Sequence, residues 1–238
     1  MEIQDGFIVG IYNYCDRWCE VCPLTSRCRL FVDVAETEAS LDPTLKPVVD
    51  APTLDEDAAP PPPRWMQELL QGLNEAAQNR MSDEEWERLK PRIAPAHELI
   101  EGRARDYFIR AHAWVRPHDE QALGNPVDPR AIVDWFHSLI PAKVHRALIG
   151  LAEGWDVEGP PDYDGSAKVA LIGIDRSHEA CLDAIACELA TVDETRPLIE
   201  NLEWLRGELE RVFPRARAFV RPAFDEPDEI AKLIASER

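Results

Sequence analysis

Residues 128–153, DPRAIVDWFHSLIPAKVHRALIGLAE, carry the pattern that decides the fold. Asp128 precedes Pro129, a capping carboxylate followed by a ring whose fixed φ and missing N–H suit the first helical position. From there Ile132, Val133, Phe136, Ile140, Val144, Leu148 and Leu151 fall mostly on steps of three and four. They therefore share one face of a helix that runs to about Glu153. Pro141 lies inside it and predicts a kink, because it removes an intrahelical hydrogen bond.

The same spacing extends in both directions. Downstream, residues 153–165 form a loop. A helix is expected over about 166–190, with Leu171, Ile174, Cys181, Ile185 and Leu189 on one stripe. Pro197 opens another, whose Leu198, Leu202, Leu205, Leu209 and Val212 keep near-heptad register until Pro214 ends it. A short amphipathic helix over about 227–236 follows. Upstream, 64–80 is one candidate, and Ser82 caps a second with Asp83, Glu84 and Glu85 in its first turn. Its apolar positions are Trp86, Leu89, Ile93, Ile100, Ala104, Tyr107, Ala111 and Trp114, with Pro91 and Pro95 kinking or splitting it near 95. The expected fold class is all-α. It is an antiparallel helical bundle of four to five main helices over residues 64–238, joined by fairly short connections. No succession of alternating strands, phosphate-cradling glycine loop or G-x-S-x-G elbow is present.

Charge and composition narrow the partners. The 238 residues carry a formal net charge of −19, spread along the chain, which argues against nucleic acid and anionic lipid. No apolar run approaches the length needed to span a membrane. The start, MEIQDGFIVG, has no basic and apolar leader pattern, so a cytoplasmic location is expected. Residues 34–63 form an acidic spacer with Pro43, Pro47, Pro52 and the run Pro60 to Pro63, expected to be extended.

Residues 12–31, YNYCDRWCEVCPLTSRCRLF, hold the clearest chemical signal. Cys15, Cys19, Cys22 and Cys28 are spaced C-x3-C-x2-C-x5-C, and the rest of the chain holds only Cys181 and Cys187. Thiolates are soft anionic donors, and four of them complete a tetrahedral set of ligands. In a reducing compartment, two disulfides are the weaker explanation. Structural zinc is most often held by two C-x2-C hooks set well apart, whereas here there is one hook with a cysteine close on either side. A compact run of this kind suits a cluster, so a [4Fe–4S] centre is expected, with zinc as the alternative. Pro23 follows Cys22 as in ferredoxin-type runs. Tyr12, Tyr14, Trp18 and Phe31 are candidates to screen the centre from water, and Arg17, Arg27 and Arg29 to offset its charge. Residues 1–33 are thus expected to be a small four-cysteine metal-binding module, too short to fold on its own core.

The run from Cys15 to Cys22 resembles the radical-SAM cluster motif in spacing alone. Val21 stands where that family has an aromatic residue, the family's β/α barrel has no counterpart in the helical pattern, and Cys28 would fill the iron site that the cofactor needs open. The resemblance is set aside.

A second centre is conceivable inside the bundle. Asp134 with His137 and Asp175 with His178 form D-x-x-H pairs, which place both side chains on one helix face, as in di-iron bundles. At ~1.5 Å rise per residue, His145 and His178 come within about one turn of each other in an up-down arrangement. The set is His97, Glu101, His145, Asp175 and His178. It lacks the bridging glutamates of the ferritin-like pattern, so hydrogen-bonded core histidines are the simpler expectation. Cys181 and Cys187 do not share a face and are expected to be buried. Arg215, Arg217 and Arg221 form a small basic spot, and Trp65 and Trp155 are expected anchors. The functional expectation is a metalloprotein serving in electron transfer, sensing or docking of a protein partner. An enzyme with a His and carboxylate centre in the bundle, or a zinc-stapled scaffold, is the alternative.

Overall fold

The computed structural model describes residues 2–41, 92–116, 127–154 and 162–228. The chain divides into two compact units, Met1–Asp33 with Arg92–Arg238, and Val34–Pro91. The segments 64–80, 82–91 and 229–236, with Trp65, Trp86, Leu89 and Trp155, lie outside the described residues.

The fold is mostly helical. Five α-helices are described: α1 (Arg29–Leu41), α2 (Glu98–Val115), α3 (Pro129–Glu153), α4 (Asp162–Ala186) and α5 (Val192–Val212). The chain enters through an antiparallel hairpin of two short strands, β1 (Ile3–Gln4) and β2 (Phe7–Ile8), with Ile3 opposite Ile8 and Gln4 opposite Phe7. Asp5 and Gly6 turn it, with φ of 52° and 83°. Positive φ at both positions matches the right-handed strand twist, and Asp-Gly is a favoured pair for it.

Helix α3 follows the sequence closely. Asp128 accepts a hydrogen bond from the backbone N–H of Arg130 at 2.8 Å, Pro129 sits in the first turn, and Gly154 closes the helix in the left-handed region. Val133, Phe136, Ile140, Val144 and Leu148 are fully buried. They meet Ile100, Ala104 and Tyr107 of α2, Leu171 and Ile174 of α4, and Leu198, Leu202, Leu205 and Leu209 of α5 in one core. Each such large apolar side chain contributes about 1.5–3 kcal/mol by leaving water. Helix α3 packs on α2 and α4, and α5 on α4 and α2. At Gly173 an added Cβ would lie 3.0 Å from Ile140 and 3.1 Å from Phe136, so the missing side chain lets α4 approach α3 closely.

Several boundaries differ from expectation. Helix α4 starts at Asp162 instead of 166, with Asp162 and Asp164 in its first turn, where the helix dipole favours them. It ends at Ala186 instead of 190: Glu188 takes a positive φ of 58°, and Leu189 is exposed. Helix α5 starts at Val192, not Pro197. Thr191 and Glu194 form a reciprocal capping box, and Pro197 is carried inside the helix. The stretch from 34 to 41, expected to begin the spacer, continues α1. It contains neither Pro nor Gly, and its Ala and Glu residues are good helix formers. Cys181 is buried as expected, but Cys187 lies beyond the end of α4 and is exposed.

Candidate metal centre

After the hairpin the chain makes three single turns of 3-10 helix, Ile11–Asn13, Cys19–Val21 and Thr25–Arg27. Gly10 enters the first with φ 72°, and Arg17 lies between the first two with φ 58°, an unusual conformation for a side chain of its size. Cys19 opens the second turn, and Cys22 and Cys28 cap the second and third, each donating its backbone N–H back to the first residue of its turn. Short turns of this kind reverse the chain every few residues. Cys15, Cys19, Cys22 and Cys28 consequently border a single pocket. All four are half-buried, and none is in a disulfide.

The surroundings of the thiols are largely apolar. Ile11, Tyr12, Trp18, Phe31 and Phe224 line the same pocket, together with Arg17. Ile8, Ile11, Leu24 and Ala223 form a small core beneath it, against which Tyr12, Cys22, Cys28 and Phe224 pack. Burial pushes the Cys19 thiol above its ordinary value, and the neighbouring Cys15, Cys22 and Cys28 push the same way. Burial also raises Cys15, opposed by the backbone N–H of Arg17. Among the described residues, no group of three or more His, Cys, Asp or Glu side chains is arranged so that it could hold a metal ion.

The cysteine loop is tied to the helices. Lys143 Nζ donates to the carbonyl of Asn13 at 2.5 Å, and Tyr14 Oη donates to Asp162 Oδ1 at 2.7 Å. Trp135 Nε1 donates to the carbonyl of Asp16 at 2.8 Å, and Arg176 Nη1 to the Asp16 carboxylate at 2.8 Å. Trp18 stacks on Trp135, ring centroids 5.5 Å apart, and presents its edge to Phe136. Gly165 makes room for Tyr14: a Cβ there would lie 2.4 Å from Tyr14 Cε1 and 2.7 Å from Phe219 Cζ. Burial pushes the Lys143 ammonium down to about 8, helped by the nearby Arg146 and Arg17.

Of the aromatic residues expected around the thiols, Tyr12, Trp18 and Phe31 line the pocket, whereas Tyr14 serves in the tie to α4. Of the three arginines, Arg17 lines it. Arg27 reaches the carbonyl of Gly6, and Arg29 pairs with Asp33. Asp16, Trp135, Lys143 and Arg176 escaped the sequence reading, because they act across 119 to 160 residues of chain. Lys143 did leave a trace: it is a cation between Ile140 and Val144 on a mostly apolar face.

The second candidate set, His97, Glu101, His145, Asp175 and His178, lies on α2, α3, α4 and the turn before α2. Glu101 and His145 meet, with Nδ1 2.8 Å from the carboxylate. His178 faces Glu203 at 3.2 Å. Asp175 is held by Arg217 at 2.6 Å and Arg206 at 3.0 Å. His97 lies in the 3-10 turn before α2, its Nδ1 buried. Within the set only Glu101 and His145 meet, on α2 and α3; His178 and Asp175 of α4 turn to residues outside it. The basic spot is likewise divided, Arg215 to Asp164, Arg217 to Asp175 and Glu210, and Arg221 to Asp225.

No helix of the described residues is long and apolar enough to cross a membrane. Comparison with protein-family models, with curated proteins and with solved structures gives no match.

Proposed function

We propose that Cys15, Cys19, Cys22 and Cys28 ligate an iron–sulfur cluster, of the [4Fe–4S] type, in a protein that transfers electrons, senses redox state or docks a protein partner. The observation that carries this reading is four unbridged thiols bordering one pocket with aromatic and apolar walls. Thiolates are the ligands that iron–sulfur clusters take, and a dry surround keeps such a cluster from water. One C-x2-C hook with a cysteine close on either side suits a polynuclear centre better than a lone zinc, which is most often held by two such hooks set well apart. The pairings of α2 to α5 and the short connection from α4 to α5 favour an antiparallel bundle as the support, with residues up to about 33 as a metal-binding module docked on it.

The test is iron retention in anaerobically purified protein. Replacing any one of the four cysteines by Ala is expected to remove most of the bound iron, while Cys187→Ala leaves it unchanged. Iron that survives Cys19→Ala in full overturns the assignment.

A further inference from the structure

Four thiolates around an iron–sulfur core leave it with net negative charge, in a chain whose own charge is −19. Both make it harder to add an electron. Positive charge held close by in a dry surround acts in the opposite direction, and net charge with hydrogen bonding is what tunes such centres.

The cations near the cysteine loop differ in what they are already bound to. Arg146 faces Lys143 but is paired with Asp162 at 2.9 Å. Arg176 is paired with Asp16 at 2.8 Å. Arg27 and Arg29 are turned to Gly6 and Asp33. Two remain. Lys143 is 6% exposed, and its ammonium donates to a neutral carbonyl, that of Asn13, so its charge is uncancelled by any direct partner. Arg17 lines the thiol pocket, and its side chain makes no hydrogen bond or ion pair among the described residues. Both act electrostatically on Cys15 and on each other. Asp162 acts on Lys143 and Asp16 on Cys15, but Asp162 is bonded to Arg146 and Tyr14, and Asp16 to Arg176. Two like charges held together, one of them buried, cost stability unless a further anion lies between or beside them.

We infer that Lys143 and Arg17 are the positioning residues that set the reduction potential of the four-cysteine centre, by supplying two positive charges, neither bonded to a carboxylate, close to Cys15. The inference rests on the iron–sulfur reading. Lys143 reaches the loop from α3, so the helical body also takes part in tuning the centre.

The experiment is a spectroelectrochemical titration of the anaerobically purified full chain, after its iron and sulfide have been measured. Lys143→Met is expected to make reduction about tenfold less favourable, a lowering of ~59 mV for one electron. Arg17→Gln, at an exposed position with no bond to lose, is expected to lower it by about threefold. Lys143→Arg, which keeps the charge, is expected to stay near the parent. Iron-loaded Lys143→Met and Arg17→Gln proteins with the parent's potential overturn the inference. Should Lys143→Met lose its iron by undocking the loop, Arg17→Gln alone decides. A parent protein without iron overturns the ligand assignment itself, a different failure, seen before any variant is made.

Discussion

The indole Nε1 of Trp135 donates to the carbonyl of Asp16 at 2.8 Å, one residue after Cys15. The same ring carries Trp18 stacked on its face, one residue before Cys19. One side chain of α3 thus fixes the chain on both sides of Arg17. Trp135→Phe keeps a ring for the stack and removes the donor. It should cost about 1 kcal/mol in urea unfolding, the net value of one such bond. Trp135→Ala removes both contacts and should cost clearly more. Equal losses for the two would mean that the stack contributes nothing.

Gly165 in the first turns of α4 is a place where shape, not charge, seats the loop. A methyl there would stand 2.4 Å from Tyr14 Cε1. Gly165→Ala should therefore lower stability by about 1–3 kcal/mol through overpacking, despite its better helix propensity. It should also weaken the hydrogen bond from Tyr14 to Asp162. A thermal melt unchanged from the parent would show that the ring moves aside without cost.

Asp225 gives the account a pH dependence. Burial acts to raise its carboxyl, but hydrogen bonds from Arg221 and Lys168 outweigh that and hold it well below the usual carboxylate range. A group depressed on folding contributes stability above its unfolded pKa, about 3.9, and that contribution is lost as pH falls further. The residue also fixes the turn that carries Phe224 to the thiol pocket. Melting temperature should fall below about pH 4. Asp225→Asn should be less stable than the parent at pH 7, and the two should converge in acid. A gap that stays constant with pH would remove Asp225 from the acid response.

The two remaining cysteines should separate by reactivity. Cys187 is exposed, whereas Cys181 is buried in the core, with its thiol pushed up to about 12 by burial. The thiolate is the reactive form. A thiol reagent should modify Cys187 at once and Cys181 only on unfolding. Rapid labelling of Cys181 would contradict its place in the core.

Legibility followed the range of the interaction. The face of α3 and its Asp128 and Pro129 start were readable, because capping and periodicity are local. So was the buried stripe of α5. Two local signals were passed over: Asp5-Gly6 as a hairpin turn, and Thr191 with Glu194 as a capping box, which together with Pro197 inside the helix set its start earlier. The four cysteines were readable as a group from spacing alone. What seats them was not. Tyr14 finds Asp162, Trp135 finds Asp16, and Lys143 finds Asn13 only once the helices have packed. The histidines of α3 and α4 show the converse. Shared faces along each helix were readable, and Glu101 and His145, named in one set, do meet; Glu203 as the partner of His178 and the arginines on Asp175 were not readable.

The central claim is that four sulfurs near residues 15–28 surround one iron–sulfur centre. The most direct measurement is elemental and acid-labile sulfide analysis of the native, anaerobically purified chain, with its absorption spectrum. The account predicts iron and sulfide in about equal amounts, near four of each per chain, with a broad band near roughly 400 nm. A colourless protein carrying one zinc, or a protein carrying no metal with its four thiols free, would contradict it.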